Sequence, residues 1–251
     1  MRIQEKSAKS ILVKTKIGGL TYCINPYTGC QHGCRYCYAN FMKRFTGHRE
    51  PWGKFVDIKI NAPQVLESEI RRAKRGTVCL SSVTDPYQPL EKKYRLTRAC
   101  LEILLKYQFP IDILTKSPLI IRDIDLLKRF EDLEVGFTIT TDDENIRKIF
   151  EPKSPSIASR IQALKEIHRN GIKTYGFIAP MLPLSPEKIL NMLAGGVDRV
   201  MVDKMNYRYR VRSIYEKNRL EDFLDYGYFR MNSDALKVLC YKKGIPIDII
   251  F

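Results

Sequence analysis

The sequence predicts an α/β fold in which six parallel strands alternate with helices in a barrel-like sheet, complete or partial. Short β-rich runs alternate with segments of helical periodicity along the chain. The 251 residues contain no internal repeat and no Pro/Gly/Ser-rich linker, and 44% of them are hydrophobic. One large core is therefore expected. An open, doubly wound sheet is the alternative, because a sequence does not show whether a sheet closes.

Local patterns assign the individual elements. Six segments rich in apolar and β-branched residues are predicted strands: 20–25, 77–83, 111–116, 134–141, 173–181 and 199–204. Helical stripes lie at 96–107, 124–130 and 161–168, and Ser185 before Pro186 predicts a further helix start. A β-like run at 55–61, a helix at 233–243 and a strand at 245–251 complete the assignment. We predict a single domain over 1–251, with a core at about 18–207 and a basic arm, helix and strand over 208–251.

The charge balance favours a polyanionic partner. Lys and Arg number 43 against 28 Asp and Glu, a formal net charge of +15. Such an excess suits DNA or RNA, although a Lys/Arg-rich surface of the thermophilic type would have the same composition. No run of about eighteen apolar residues is present, and residues 1–16 lack the apolar core of a secretory signal. We therefore expect a cytosolic protein without a membrane partner.

Three of the seven cysteines form a tight group. Cys30, Cys34 and Cys37 have C-x3-C-x2-C spacing. In a reducing compartment this grouping indicates a metal centre or catalysis rather than disulfides. A structural zinc would need a fourth ligand, which His32 or Cys23 could supply. An iron–sulfur cluster on three cysteines would instead leave one iron open to a small molecule, which favours catalysis.

Polar residues follow several predicted strands. They are Thr84 and Asp85 after the second strand, Lys116 at the end of the third, Thr138 and Thr140 at the end of the fourth, and Lys204 and Asn206 around the end of the last. The carboxyl ends of parallel strands meet at one rim, so we expect a site there. The alternative is that such side chains only satisfy loop backbone groups.

Further motifs accompany the cysteines. They are residues 25–30, Tyr36 before the third cysteine, 37–39, 51–53, Lys59, 61–63, 84–89, 115–117, 151–160 and 179–180. Together these segments, spanning about 20–205, resemble the radical S-adenosylmethionine (SAM) superfamily and its subfamily related to spore photoproduct lyase. The resemblance implies a partial (β/α)6 barrel of the radical SAM type.

The resemblance also implies the cofactors. A [4Fe–4S] cluster would be held by Cys30, Cys34 and Cys37, and SAM would chelate the fourth iron through its amino and carboxylate groups. Reductive cleavage of SAM would yield a 5′-deoxyadenosyl radical that abstracts a hydrogen atom from the substrate. A one-electron donor such as ferredoxin or flavodoxin would supply the electron.

Several residues are assigned to SAM on the strength of this resemblance. Asp85 has the charge to meet the methionyl amine, although the Gly-Gly-Glu-like segment common in the superfamily is absent here. The remaining candidates are Tyr36 near adenine, Thr84 beside Asp85, Lys116 and Arg160 at the carboxylate, and Thr138 and Thr140 at the ribose or carboxylate. Spore photoproduct lyase returns a hydrogen atom to its product from a cysteine three residues before the strand-end Asp. Ser82 stands there in this chain, so the lyase reaction itself is not predicted.

The segment 204–219 is the strongest nucleic-acid feature, with six basic residues, three tyrosines and one acid. The predicted substrate or nucleic-acid contacts are Tyr38, Tyr87, Lys204, Asn206, Tyr207, Arg208, Tyr209, Arg210 and Arg212. The alternative is a solvated arm whose tyrosines pack into the core. The leading hypothesis is a radical SAM enzyme acting on DNA, RNA or a nucleotide. Two alternatives remain. One is a radical SAM enzyme that acts on a peptide or metabolite, and the other is a non-catalytic zinc or iron–sulfur protein that binds nucleic acid.

Overall fold

The structure, a computed structural model, describes residues 1–250. Its strands are β1 (Arg2–Lys6), β2 (Leu12–Lys14), β3 (Tyr22–Ile24), β4 (Tyr27–Thr28), β5 (Phe55–Lys59), β6 (Val78–Leu80), β7 (Ile111–Thr115), β8 (Leu133–Thr138), β9 (Lys173–Ile178), β10 (Arg199–Asp203) and β11 (Ile247–Ile250). Its α-helices are α1 (Ala62–Ile70), α2 (Glu91–Tyr94), α3 (Leu96–Lys106), α4 (Ile124–Leu127), α5 (Glu144–Phe150), α6 (Ile157–Arg169), α7 (Pro186–Leu193), α8 (Arg208–Lys217) and α9 (Tyr226–Lys242). Further 3-10 helices cover Tyr38–Phe45, Pro118–Asp123 and Glu221–Leu224.

The main sheet has the strand order β11-β10-β9-β8-β7-β6-β3-β2. From β3 to β11 every neighbouring pair is parallel, and β2 adds one antiparallel strand at the edge. Within residues 1–250, β2 does not pair with β11, so the barrel is partial. All six predicted strands are present, and their ends lie within three residues of the predicted ones.

The two faces of this sheet differ in chemistry. Ile24, Leu80, Ile113 and Val135 point outward and pack with the helices in the main core. Side chains alternate along a strand, so the residues between them face the barrel interior. The inward-facing residues that lie side by side on neighbouring strands are Cys23, Cys79, Asp112 and Glu134. This layer of the interior is therefore polar, in contrast to the apolar core outside the sheet.

Asp112 gives a test of this polar interior. Burial and the charge of Glu134 raise the pKa of Asp112 to about 6. Between about pH 4 and pH 6 the folded protein keeps a proton that the unfolded chain has lost, so the free energy of unfolding falls as the pH rises. Asp112→Asn should therefore raise the free energy of unfolding by up to about 3 kcal/mol above pH 7 and have little effect at pH 4. Urea titrations at both pH values measure this, and an equal gain at pH 4 would contradict it.

A second, three-stranded sheet of order β1-β5-β4 lies beside the barrel entrance. The predicted run at 55–61 is found as β5, but it pairs with β1 and β4 rather than with the main sheet. The chain leaves β4 through Gly29, whose φ is +91°. A side chain at Gly29 would collide with the carbonyl oxygen of Phe55, so this position requires glycine.

The C-terminal region differs from the prediction in two places. Helix α9 begins seven residues before the predicted start at 233, because Asp225 caps it by accepting a hydrogen bond from Gly227 N at 2.7 Å. The basic segment predicted as an arm is helix α8, whose Val211 and Tyr215 are buried. Strand β11 confirms the final strand over Ile247–Ile250, and Phe251 lies outside the described residues. No helix among residues 1–250 combines the length and apolarity needed to cross a membrane.

Candidate active site

The cysteine loop, residues 29–37, connects β4 to the first 3-10 helix. Cys30, Cys34 and Cys37 are free thiols, and the first two are buried. Gly33 has a φ of +58°, and a Cβ on Gly53 would lie only 2.6 Å from Gly33 Cα. Both glycines therefore allow the segment around Trp52 to pack closely against the cysteine loop.

The three thiols affect one another electrostatically. Burial raises the pKa of Cys30 and Cys34, and it raises the pKa of Cys37 to about 11. The charge of Cys34 further raises the pKa of both Cys30 and Cys37. The three sulfurs are close enough to repel each other as thiolates, so ionisation of all three requires a cationic centre.

The surroundings of the thiols fit such a centre. The buried indole N–H of Trp52 points toward Cys37 and lowers the pKa of its thiol against the effect of burial, and Trp52 Nε1 has no other hydrogen-bond partner among the described residues. Ser154 Oγ lies 3.7 Å from Cys34 Sγ. Hydrogen-bond donors around thiolates are the usual outer shell of iron–sulfur clusters. Among residues 1–250, no three His, Cys, Asp or Glu side chains form a preformed site for a single metal ion.

Lys116 lies beside the cysteine loop at the end of β7. Its ammonium is close enough to Cys34 and Glu151 to interact with their charges, and it lies 5.8 Å from the centre of the Tyr36 ring. The described residues give Lys116 Nζ neither a hydrogen bond nor an ion pair. It therefore presents a cation suited to a carboxylate, as predicted for SAM.

Glu151 is the buried centre of this region, and sequence reasoning assigned it no role. Its carboxylate pairs with the Arg160 guanidinium and accepts hydrogen bonds from Tyr36 Oη and, at 3.1 Å, from Thr140 Oγ1. Burial alone would raise the pKa of Glu151, but the charges of Arg160 and Lys116 outweigh burial and lower it. The sequence feature that could have identified Glu151 is the Glu151-Pro152 pair at the start of the 151–160 motif.

Arg160 lies inside this network, and its predicted contact with the SAM carboxylate stays a prediction. Arg160 is fully buried, and its guanidinium donates to Glu151, to Thr138 O at 3.1 Å and to Pro155 O at 3.0 Å. Each of the three guanidinium nitrogens donates one hydrogen bond within the chain, so Arg160 positions Glu151. The predicted contacts of Thr138, Thr140 and Tyr36 with SAM stay predictions, and all three are buried around this network.

Asp85 fixes the rim between β6, β7 and the cysteine loop. It accepts hydrogen bonds from Thr115 Oγ1 at 2.7 Å, Tyr87 N at 2.9 Å and Lys116 N at 2.8 Å, and His32 Nε2 lies 3.3 Å away. Burial opposes its ionisation, but His32 and these donors lower the pKa of Asp85 to about 2. The carboxylate is thus a fixed negative charge.

Thr84, the neighbour of Asp85, also contacts the cysteine loop. Its Oγ1 donates to Gly29 O at 2.7 Å and accepts from Gln88 Nε2 at 2.9 Å. Both hydroxyl functions are therefore engaged within the chain. The predicted contact of Asp85 with an ammonium stays a prediction, whereas the observed role of Thr84 is to hold the loop.

The predicted substrate residues fall into three groups. Tyr87 is fully buried in the main core, and its predicted contact with substrate stays a prediction. Asn206 donates to Asp203 at 2.8 Å, and Lys204 Nζ lies 5.5 Å from the centre of the Tyr226 ring, so both help to shape the turn after β10. The exposed residues are Tyr38, Tyr207, Arg208, Tyr209 and Arg212, with Arg210 partly covered beneath them.

Helix α8 joins these residues to the cysteine loop. Val211 and Tyr215 belong to the same buried cluster as Cys34 and Tyr36. Arg210 Nη1 lies 3.4 Å from the carbonyl oxygens of both Cys37 and Tyr38. Arg210 therefore belongs to the support of the cysteine loop, and its predicted contact with a nucleic acid stays a prediction.

Exposed and partly exposed aromatic and basic residues lie on both elements joined by this contact, and we call this set the loop–helix surface. It runs along α8 and the 3-10 helix after Cys37 and comprises Tyr38, Phe41, Arg44, Phe45, Tyr207, Arg208, Tyr209, Arg210 and Arg212. Arg210 lies over the Tyr207 ring at 4.9 Å, and Arg44 lies over Phe41 and Phe45 at 5.8 and 5.6 Å. Phe45 and Tyr209 are 70% and 73% exposed, so their rings are available to a partner.

Sequence comparisons find relatives over most of the chain. An uncharacterized protein of Methanocaldococcus jannaschii is 44% identical over 176 residues, covering 70% of this chain and 66% of the relative. An uncharacterized protein of Acidianus two-tailed virus is 30% identical over 239 residues, covering 86% and 79%. A radical SAM Nα-GlyT isomerase of Pseudomonas phage M6 is 27% identical over 160 residues, covering 63% and 32%. The chain thus spans just under two thirds of the Methanocaldococcus relative's length.

Solved structures share the fold. Spore photoproduct lyase complexed with dinucleoside spore photoproduct has a TM-score of 0.70 at 13% identity, covering 98% of this chain and 81% of that one. SuiB of Streptococcus suis, bound to its precursor peptide SuiA, has a TM-score of 0.64 at 16% identity, covering 91% and 48%. The predicted partial barrel is confirmed. A sequence profile described as the radical SAM superfamily matches residues 24–194, more than half of the chain, and this chain belongs to the radical SAM superfamily.

Proposed function

We propose that this radical SAM enzyme acts on a nucleic acid or a nucleotide. The observation that carries the proposal is the loop–helix surface, in which exposed aromatic rings alternate with guanidinium groups from the carbonyl of Cys37 outward. Arginine and lysine neutralise phosphates, and aromatic rings stack on unpaired bases. The net charge of +15 adds long-range attraction for a polyanion.

Membership of the superfamily implies a [4Fe–4S] cluster and SAM, which when bound supply a 5′-deoxyadenosyl radical for hydrogen abstraction. In the proposal Cys30, Cys34 and Cys37 hold the cluster, Lys116 pairs with the SAM carboxylate, and Asp85 pairs with its ammonium. We also propose that a small acidic carrier such as ferredoxin or flavodoxin donates the electron, because a basic surface attracts acidic proteins.

The chain's own residues prepare the site for this chemistry. The Glu151–Arg160 pair fixes the Tyr36 hydroxyl, so the ring next to the third cysteine is held in one orientation. Val211 and Tyr215 of α8 cover Cys34 and keep water from one side of the loop. A dry, rigid pocket of this kind limits side reactions of a reactive intermediate.

Replacement of Lys116 tests the SAM site. Lys116→Gln removes a charge that faces the site without a hydrogen-bond partner in the chain, so SAM affinity should fall about ten- to a hundredfold, corresponding to about 1.5–3 kcal/mol. Iron and sulfide content should stay unchanged. Equilibrium dialysis with labelled SAM under anaerobic conditions measures the affinity, and Lys106→Gln on the exposed face of α3 is the matched control. Unchanged affinity in Lys116→Gln would place the SAM carboxylate elsewhere.

The substrate proposal is tested by binding of a single-stranded oligonucleotide at several salt concentrations. The slope of log K against log salt is negative, and Arg208→Ala/Arg212→Ala should make it less steep. The expected change is about 1.4 if both residues contact phosphates, at about 0.7 each. Tyr209→Ala or Phe45→Ala should weaken binding by about 1–3 kcal/mol with little change in slope, because stacking releases few counterions. Arg210 is left unchanged because it supports the cysteine loop.

A matched control removes the same charge from the opposite end of the barrel. Arg71 and Arg75 lie between α1 and β6, and their side chains are 64% and 56% exposed. Arg71→Ala/Arg75→Ala should leave the slope nearly unchanged. Equal effects of the two double variants would show that binding depends only on the net charge of the protein. Binding insensitive to salt and to the Tyr209 and Phe45 variants would favour a peptide or metabolite, as in the peptide-bound SuiB neighbour.

A further inference from the structure

Two cysteines outside the cysteine loop face each other inside the barrel. Cys23 on β3 and Cys79 on β6 are directly paired between neighbouring parallel strands, so both side chains point to the same face. Neighbouring strands lie about 4.8 Å apart, which falls within the Cα separation of about 4.4–6.8 Å that a disulfide spans. The backbone therefore allows a bond between these two sulfurs without moving either strand.

The two thiols have unequal surroundings. Asn25 Nδ2 donates to Cys23 Sγ at 3.2 Å, and Ser82 Oγ lies 3.1 Å from the same sulfur. A hydrogen bond from Cys79 is the largest of several effects that lower the pKa of Cys23 to about 6, whereas the same contact and burial raise the pKa of Cys79. Because Asn25 and Ser82 both contact Cys23 Sγ, a negative charge on the pair is better stabilised at Cys23 than at Cys79. A thiolate beside a protonated thiol is the arrangement of a nucleophile with its resolving cysteine.

Position in the barrel separates this pair from the structural cysteines. Cys23 and Cys79 are 4% and 6% exposed and border the polar interior, whereas Cys100 and Cys240 are fully buried in the main core. Burial raises the pKa of Cys100 and raises that of Cys240 to about 11. These two thiols are therefore internal controls for reactivity.

We propose that Cys23 and Cys79 form a dithiol site that exchanges with low-molecular-weight disulfides. The Cys23 thiolate attacks one sulfur of the small disulfide, forming a mixed disulfide and releasing one thiolate. Cys79 then loses its proton and attacks Cys23 Sγ, which releases the second small thiolate and leaves a Cys23–Cys79 disulfide. The protein pair is oxidised by two electrons and the small disulfide is reduced to two thiols. This site rests on the barrel geometry alone and does not depend on the proposed substrate.

The test is anaerobic incubation of the cluster-loaded protein with glutathione disulfide, followed by alkylation and tandem mass spectrometry. The wild type should form a peptide linked through Cys23 and Cys79 that dithiothreitol cleaves. Cys79→Ser should instead trap glutathione on Cys23, and Cys23→Ser should give neither product. Cys23 should react more than about tenfold faster than Cys100 or Cys240, because exchange requires a thiolate and access.

The wild-type mapping decides the proposal even where a variant folds poorly. Iron content before and after incubation shows whether the cluster stays in place, and Cys100→Ala serves as the matched variant that should still form the linked peptide. Absence of the Cys23–Cys79 link, or reaction confined to Cys30, Cys34 and Cys37, would overturn the proposal. Equal modification of Cys23 and Cys240 would do the same, since it would indicate reaction through general unfolding.

Discussion

Replacement of Cys30, Cys34 or Cys37 by Ala is expected to abolish the visible absorption of the iron–sulfur cluster and all reductive cleavage of SAM. In the proposal each cysteine supplies one of three protein ligands to the cluster, so loss of any one leaves it incompletely held. Measurement of iron, sulfide and absorbance after anaerobic purification, together with 5′-deoxyadenosine production, checks the expectation.

Core cysteines provide the control for these variants. Cys100→Ala and Cys240→Ala remove a thiol from the outer core, away from the cysteine loop, and should keep full iron content. Folding of each variant is compared by circular dichroism, so that loss of the cluster is separated from loss of the protein. A Cys34→Ala protein with full iron content would contradict the assignment of the cluster to this loop.

Replacement of Glu151 by Gln is expected to lower the free energy of unfolding by about 3–5 kcal/mol. The reason is that Arg160 would remain fully buried with its charge uncompensated. Thermal unfolding at equal cluster occupancy measures the loss, which corresponds to a fall in melting temperature of about 6–20 °C for a chain of this size.

Two further variants separate the buried pair from a general charge effect. Glu131→Gln removes a carboxylate whose side chain is 71% exposed and which faces Arg75 at 3.8 Å, and it should change stability by less than about 1 kcal/mol. Glu151→Gln/Arg160→Met should recover part of the loss, because the buried charge of Arg160 is then removed together with that of its partner. A similar fall in melting temperature for Glu151→Gln and Glu131→Gln would show that the Glu151–Arg160 pair does not stabilise the fold more than an exposed pair does.

Local features of this protein could be predicted from the sequence. Strand segments show their pattern of apolar and β-branched residues within a few positions, and all six predicted strands exist. The cysteine group is equally local, since three ligands within eight residues define a loop whatever surrounds it. The motifs spread over about 20–205 indicated the superfamily for the same reason, because each one is a short run of residues.

The tertiary structure alone decided the contacts between distant residues. Glu151 meets Tyr36 across 115 positions, and Arg210 reaches Cys37 across 173. Tyr87 follows a strand-end motif like a site residue, yet its neighbours in space place it in the core. Sequence spacing constrains geometry only while the connecting chain is short. For residues this far apart, strand order and helix packing determine which side chains meet. They bring α8 over the cysteine loop and Cys23 beside Cys79.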